Sequence, residues 1–584
     1  MASFIQDTLA QIPGIDPRVN QRMQFFSGMN DGPAKTAARI TGVTQEPHAK
    51  DDSPIYTGNF GQPIPDPCHS LNIGGIPYQG DALLLEKQQA FDRMKITERI
   101  VHPCGSSAFG YFQVNQDVSH LTKAAFLQPG KRTPVYSRFS TVTYGREFPD
   151  SARNPRGFAT KFYTEEGNYD LVGLNFPVFF VRDPFMGPDN IRSQQRHPKS
   201  FLLDYNAWFD YLANVPESQH AGLMLLSDHA TPVGWRFMSG YGVHTFRWVN
   251  KEGSYVFVKY HWISKQGVKQ WSHDEATRVC GEDPDYSKRD LFEHIEKGGD
   301  ARWTMMVQVM QPEQIASINF DPFEPTKIWP RSQFPMQEVG ELVLNRNPED
   351  YFRDVEQAAF SPGSLVPGIE ASPDPLLQWR MFFYRDAQYH RLGSANIHQI
   401  PVNCPFMAKF HSPDNYNGTM RIDGNTGGKP YYFPNSYHNQ KPTTGGTPGF
   451  LPSAAETPMQ VANHVVSRIG HYLHEGKPSE YDQVRELYNR VLSVEERENL
   501  HRNTARLLKH AEPIVQKNYL IQQCAIMREY AEAIYDLLPE HEGYSFKDIE
   551  AGAPMAHMVH KNPQFVSDQG KTFMGMPVRA MTIA

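Results

Sequence analysis

Three short runs of this chain place ionisable side chains among apolar neighbours, where burying a charge is costly unless the group is paired or put to use. In Glu98-Arg99-Ile100-Val101-His102-Pro103 a histidine follows an apolar pair, and an imidazole is the commonest general acid–base group. In Arg138-Phe139-Ser140-Thr141-Val142 an arginine sits inside a strand-like run. The densest run is Arg380-Met381-Phe382-Phe383-Tyr384-Arg385-Asp386-Ala387-Gln388-Tyr389-His390-Arg391. On a helix Arg380 and Tyr384, four apart, share a face, which sets a guanidinium against a phenol oxygen and favours the phenolate. Taken singly, each run also has a structural reading: a capping histidine, an arginine in an ion pair, a tyrosine in a core. There is no Walker loop, HExxH helix or GxSxG elbow, and Ser239-Gly240-Tyr241-Gly242 misses the spacing of a dinucleotide fingerprint.

The elements that must position these groups are strands followed by helices. Residues 133–142, 158–164, 169–181, 240–250, 255–264 and 304–310 are rich in β-branched and aromatic residues between Gly, Pro and Asp clusters. With a helical stretch near 198–215, they predict a large antiparallel sheet or barrel with helical decoration, an α+β fold. A helix is expected over 83–98 with Leu83, Leu84, Leu85 and Phe91 as anchors, and another around 376–385. Ser493-Val494-Glu495-Glu496 is a capping box, and Val484, Leu487, Tyr488, Val491 and Leu492 recur at helical spacing. The expected organisation is an N-terminal arm (1–70), a barrel domain with inserted helices (71–325), a Pro/Gly-rich wrapping connection carrying the third run (326–452), and a helical C-terminal region with a tail (453–584).

Composition removes other classes. The chain has 584 residues, with 57 Lys+Arg against 64 Asp+Glu and a net charge of −7, a balance that argues against general nucleic-acid binding. No run approaches the length of a membrane helix, so no membrane partner is expected. Five scattered cysteines without CxxC spacing point to a reducing compartment rather than a disulfide framework. The first residues lack the pattern of a secretory signal, and Thr582-Ile583-Ala584 is not a Ser-Lys-Leu address, which leaves cytoplasm or peroxisome.

The three runs resemble the haem catalases. So do Tyr136 to Val142, Arg156-Gly157-Phe158-Ala159-Thr160-Lys161-Phe162-Tyr163-Thr164, and Gln399-Ile400-Pro401-Val402-Asn403, and the likeness runs nearly without gaps from about residue 56 to 437. The resemblance implies an antiparallel β-barrel enclosing haem, with Tyr384 as the iron ligand. By the same resemblance Arg380, His244 and Asp374 form a chain of charge behind that ligand. His102 is then the distal base bonded to Ser140, with Val101 against the haem and Phe179 on the distal side. Arg99, Arg138 and Arg391 would pair with the haem propionates. A homotetramer and hydrogen peroxide as substrate follow from the same likeness.

The sequence also departs from that family. Where the family has Gly-Asn-Asn, whose first amide orients peroxide, this chain has Gly173-Leu174-Asn175. Gly187 replaces a distal aromatic, which predicts extra room, and Asn154 replaces a channel aspartate. The NADPH pocket is half present: His220, Ser227 and Trp329 match, while His229, Ile263 and Arg331 stand where arginine, lysine and histidine are usual. These departures favour a catalase-like biosynthetic enzyme acting on an organic substrate, as fungal chanoclavine synthases of ergot alkaloid assembly do. The alternative is an ordinary peroxide-decomposing catalase.

Overall fold

A computed structural model describes residues 56–409 except 394, residues 479–558, isolated positions between 417 and 456, and the short strands Thr572–Phe573 and Met576–Pro577. The expectations placed on residues 1–55, on most of 410–478 and on much of the C-terminal tail lie outside the described residues.

The central element is a closed antiparallel barrel. Its strands are β1 (Gly105–Val114), β2 (Arg132–Ser140), β3 (Gly157–Thr164), β4 (Gly167–Leu174), β5 (Gly240–Tyr241), β7 (Tyr255–Ser264), β8 (Ala301–Met310) and β9 (Met336–Arg346), with β6 (Phe246–Val249) paired to β7 and β10 (Ile369–Ala371) paired to β6. Closure occurs because β8 pairs with both β7 and β9. Period-two alternation decides what each face carries. Phe112, Phe139, Phe158, Phe162, Trp262 and Trp303 fill the interior, meeting tilted as in Phe139–Phe158 at 4.6 Å, edge-on as in Phe158–Trp303 at 5.3 Å, or stacked as in Phe158–Trp262 at 6.0 Å between ring centres. Arg138, Ser140, Gly157, Ala159, Val172 and Leu174 therefore face outward. The barrel supplies a wall of the site, since its lumen is already packed with aromatic rings.

Two of the strands are not apparent in the sequence. β1 begins Gly-Ser-Ser and contains Gly110, residues that weaken a strand signal. Gly110 is required by packing, because a Cβ there would lie 1.8 Å from the Val343 carbonyl oxygen. β9 carries Glu338 and Glu341 and lies within the stretch expected as a wrapping connection. The run expected as one strand over 240–250 breaks into β5 and β6 around Val243, whose φ of +63° is rare for a β-branched residue, and His244. The strand expected over 169–181 ends at Leu174.

The helices include α1 (Ala82–Asp92), α2 (Tyr205–Asn214), α3 (Gln219–Leu226), α4 (Pro375–Leu392), α5 (Val494–Leu508), α6 (Pro513–Ile526) and α7 (Arg528–Leu537). The C-terminal helices share one core with α2 and α3 through Phe209, Leu212, Leu226, Leu508, Tyr519 and Tyr530. Ser493 caps α5 in the expected capping box. Val484, Leu487, Tyr488 and Leu492 are buried, but Val491 is 67% exposed, because the turn Leu487–Val491 is π-helical and its wider turn swings that residue off the stripe. The anchors expected on α1 are a correction: Leu84, Leu85 and Phe91 are exposed and no residue of α1 is buried in the single chain.

Removing Trp262 from the barrel interior should cost about 3–5 kcal/mol, while Val491→Ala should stay within about 0.5 kcal/mol. Thermal unfolding of the two variants checks this, and equal shifts would contradict the core assignment.

Candidate active site

Helix α4 positions the phenol side of the site. Asp374 caps it, with Oδ1 accepting from the Leu376 and Leu377 amides at 3.0 Å each, and Pro375 occupies the first turn. Four residues apart on this helix, Arg380 Nη2 donates to Tyr384 Oη at 2.8 Å, while Arg380 Nη1 lies 2.7 Å from His244 Nε2. A guanidinium has no acceptor, so Nε2 must accept and the imidazole proton sits on Nδ1, which donates to Asp374 Oδ2 at 2.7 Å. Burial pushes the His244 imidazole below its ordinary pKa, with Asp374 opposing. Asp374, His244 and Arg380 are each at most 3% exposed. One carboxylate thus caps the helix and anchors a buried relay that ends on Tyr384.

The imidazole side is built from β2 and the loop before β1. His102 has φ of +66°, a left-handed conformation held by its amide donating to Val142 O at 2.8 Å. Its Nδ1 is 2.9 Å from Ser140 Oγ. Gly157 on the adjacent strand makes that pairing possible: a Cβ there would stand 2.5 Å from both His102 Nδ1 and Ser140 Oγ. Burial, then Arg138, pushes the His102 imidazole down to about 3, so the ring is a neutral base throughout the ordinary range.

Arg99, Arg138 and Arg391 line one cavity together with His102, Ser140 and Tyr384. All three are buried. Arg99 and Arg391 converge on the same carbonyls, those of Glu356 and Ala358, and Arg138 holds the His102 and Pro103 carbonyls. Burial and the neighbouring guanidiniums depress Arg99 well below its ordinary value, and burial and Arg138 take Arg391 down to about 10. Glu356 is the carboxylate nearest them, 3.7 Å from Arg99. Arg99 Nη1 and Arg138 Nε have no hydrogen-bond partner. A wall with this excess of positive charge and spare donors fits an anionic ligand bearing carboxylates, as a haem does, with a phenol oxygen and an imidazole lining the same space.

A second cavity of about 290 Å³ adjoins the first and shares Ile100, Val101, His102, Phe383 and Tyr384 with it. Phe179 and Leu174 line it and pack with Val101, Val142 and Val243. Asn175 does not replace the missing amide. Its Oδ1 accepts from the Arg156 amide at 2.7 Å and its Nδ2 donates to His229 O at 2.9 Å. Asn154 likewise turns to backbone, accepting from Val142 and Thr143. Gly187 lines the cavity, but the expected extra room is partly taken by the Trp379 indole. Of the nucleotide-pocket residues, His229 Nδ1 pairs with Ser227 Oγ at 3.1 Å, and the buried Trp329 donates to Pro322 O. Sequence reasoning missed Gly157 as a steric requirement, Gln388 as the acceptor for Arg391, and Trp379; only Gln388, three residues before Arg391 on one helix, left a readable signal.

The catalase family profile matches residues 57–439, and a profile described as catalase-related immune-responsive matches 474–538. The chain belongs to the catalase family. A catalase of Methanosarcina barkeri is 44% identical over 83% of this chain and 94% of its own length. The catalase of Sus scrofa is 41% identical over 88% and 96%. Among solved structures, a fungal catalase superposes with a TM-score of 0.77 at 38% identity, covering 85% of this chain and 99% of its own. Catalase A from Saccharomyces cerevisiae gives 0.75 at 38% identity, covering 83% and 98%. The protein is thus a haem catalase-type oxidoreductase, and membership of the catalase family implies haem as cofactor and hydrogen peroxide as substrate. Among the described residues no group of three His, Cys, Asp or Glu could hold a metal by itself, and no helix is long and apolar enough to cross a membrane.

Gly157→Ala should keep haem yet lower peroxide turnover by about a hundredfold, because it separates His102 from Ser140; stopped-flow peroxide consumption measures it. The neutral His102 ring contributes stability that is complete above about pH 6.5 and is lost as pH falls toward about 3. Peroxide turnover should accordingly show no imidazole titration between pH 8 and 5, and a midpoint near 6.5 would contradict the buried neutral base.

Proposed function

We propose that this catalase-family enzyme uses a reactive oxygen species, superoxide or peroxide, as the oxidant of an organic substrate, in the manner of the chanoclavine synthases. Bound haem supplies redox chemistry at iron. In this reading Tyr384 is the iron ligand, and Arg380, His244 and Asp374 keep a fixed cation beside its oxygen. Arg99, Arg138 and Arg391 would hold the propionates, and Val101 and Phe179 would line the space for the macrocycle. His102, paired through Nδ1 with Ser140 Oγ, would be the base that takes up and returns a proton.

The observation that carries the reading is Leu174 lining the larger cavity while the Asn175 amide is tied to Arg156 and His229. The group expected to orient peroxide is therefore replaced by an apolar side chain. Peroxide dismutation to water and dioxygen is the second reading, favoured by the paired His102 and Ser140 and by relatives named catalase at 40–44% identity. NADPH is not part of the proposal, because His229 and Ile263 stand where phosphate-binding cations are usual. We further propose a homotetramer, supported by the exposed Phe60, Ile73, Ile76 and Phe91, placed in the cytoplasm or the peroxisome; a Toxoplasma gondii relative is named a peroxisomal catalase.

Oxygen evolution from hydrogen peroxide by the haem-loaded protein tests the proposal. Feeble evolution with a ferric-tyrosinate spectrum supports it, and rapid evolution gives the second reading. Leu174→Asn should raise dismutation roughly tenfold by restoring a donor. Tyr384→Phe should abolish the ferric-tyrosinate spectrum, and an unchanged spectrum would remove Tyr384 as the ligand.

A further inference from the structure

Gly187 opens the short helix Gly187–Arg192 with φ of −58°, a conformation any residue adopts. Its backbone therefore does not require glycine. A neighbour does: a Cβ at 187 would stand 2.5 Å from Trp379 Cη2 and 2.8 Å from Cζ3, closer than real Cβ contacts allow, and 3.1 Å from Cζ2. The indole is itself fixed. It stacks on Phe383 one turn along α4, with ring centres 4.8 Å apart and planes 15° from parallel, and Phe383 meets Tyr384 edge-on at 5.4 Å. Gly187, Trp379, Phe383 and Tyr384 all line the 290 Å³ cavity. Trp379 remains half-buried, so its ring is a wall element rather than a core filler.

We infer that Trp379 is a specificity-determining residue, the aromatic wall against which a planar, largely apolar organic substrate stacks on its way to the reacting centre, and that Gly187 is the residue that lets the indole stand there. Leu174 and Phe179 give the same cavity apolar sides, and aromatic rings favour offset stacking of flat partners. This inference rests on the proposal that the substrate is organic.

The test uses the full-length haem-loaded protein with 2-naphthol as a flat probe and cyclohexanol as a puckered one, titrated by calorimetry. Trp379→Ala should weaken 2-naphthol about tenfold and cyclohexanol less than about threefold, with Trp379→Phe recovering most of the loss. A wild-type protein that binds no 2-naphthol, or a Trp379→Ala variant that binds both probes as the wild type does or loses both equally, overturns the assignment. Gly187→Phe should lower the melting temperature, and adding Trp379→Gly should restore it; a tolerated Gly187→Phe would show that the indole does not dictate the glycine. A wild type that evolves oxygen rapidly and oxidises no organic molecule defeats the functional proposal alone, while probe binding and the Gly187/Trp379 exchange still decide the wall.

Discussion

The buried guanidinium of Arg380 is the constraint on which the rest of the site depends. It donates to Tyr384 on one side and to His244 on the other, and a charge with so little access to water is tolerable only when its donors are satisfied and a counter-charge lies close. Asp374 supplies that counter-charge through His244, and the same carboxylate starts the helix that carries Arg380 and Tyr384. Helix initiation, ring tautomer and the orientation of the phenol are therefore one linked arrangement. A shift in any member leaves a buried charge or donor without a partner.

The barrel makes this arrangement possible by being solid. Aromatic rings occupy its lumen, so the residues of opposite parity on β2, β3 and β4 form a rigid outer surface against which α4 can close. On that surface glycines matter where side chains must approach. Gly157 leaves space for His102 and Ser140 to pair, and Gly187 leaves space for Trp379. The strained backbone at His102 is held by neighbours that a packed barrel keeps fixed.

Charge organises the remaining side. Arg99, Arg138 and Arg391 repel one another and share few anions, an unstable arrangement unless a ligand brings negative charge. Between that wall, the neutral imidazole and the cation-backed phenol there is a place for a planar dianionic cofactor. Beyond it the cavity is apolar, which separates this chain's distal side from the amide-bearing pattern its motifs otherwise follow.

Much of this was legible in the residues. The spacing of Arg380 and Tyr384 fixed their contact, because four residues on a helix return to one face, and the capping box at Ser493 was local chemistry. Strands β1 and β9 were hidden, since glycines and glutamates that weaken a strand signal are there for backbone approach and solvent. The π-helical turn at Leu487–Val491 broke a stripe that assumed regular helix.

What only the tertiary structure decided were relations between segments far apart in the chain. Asn175 turns away to His229, Arg99 and Arg391 meet on the carbonyls of Glu356 and Ala358, and the Trp379 ring takes the space that a glycine at 187 leaves. Periodicity and motifs report which face a side chain takes on its own element. Which group meets it there depends on how elements close over one another, and that is set by packing rather than by local sequence.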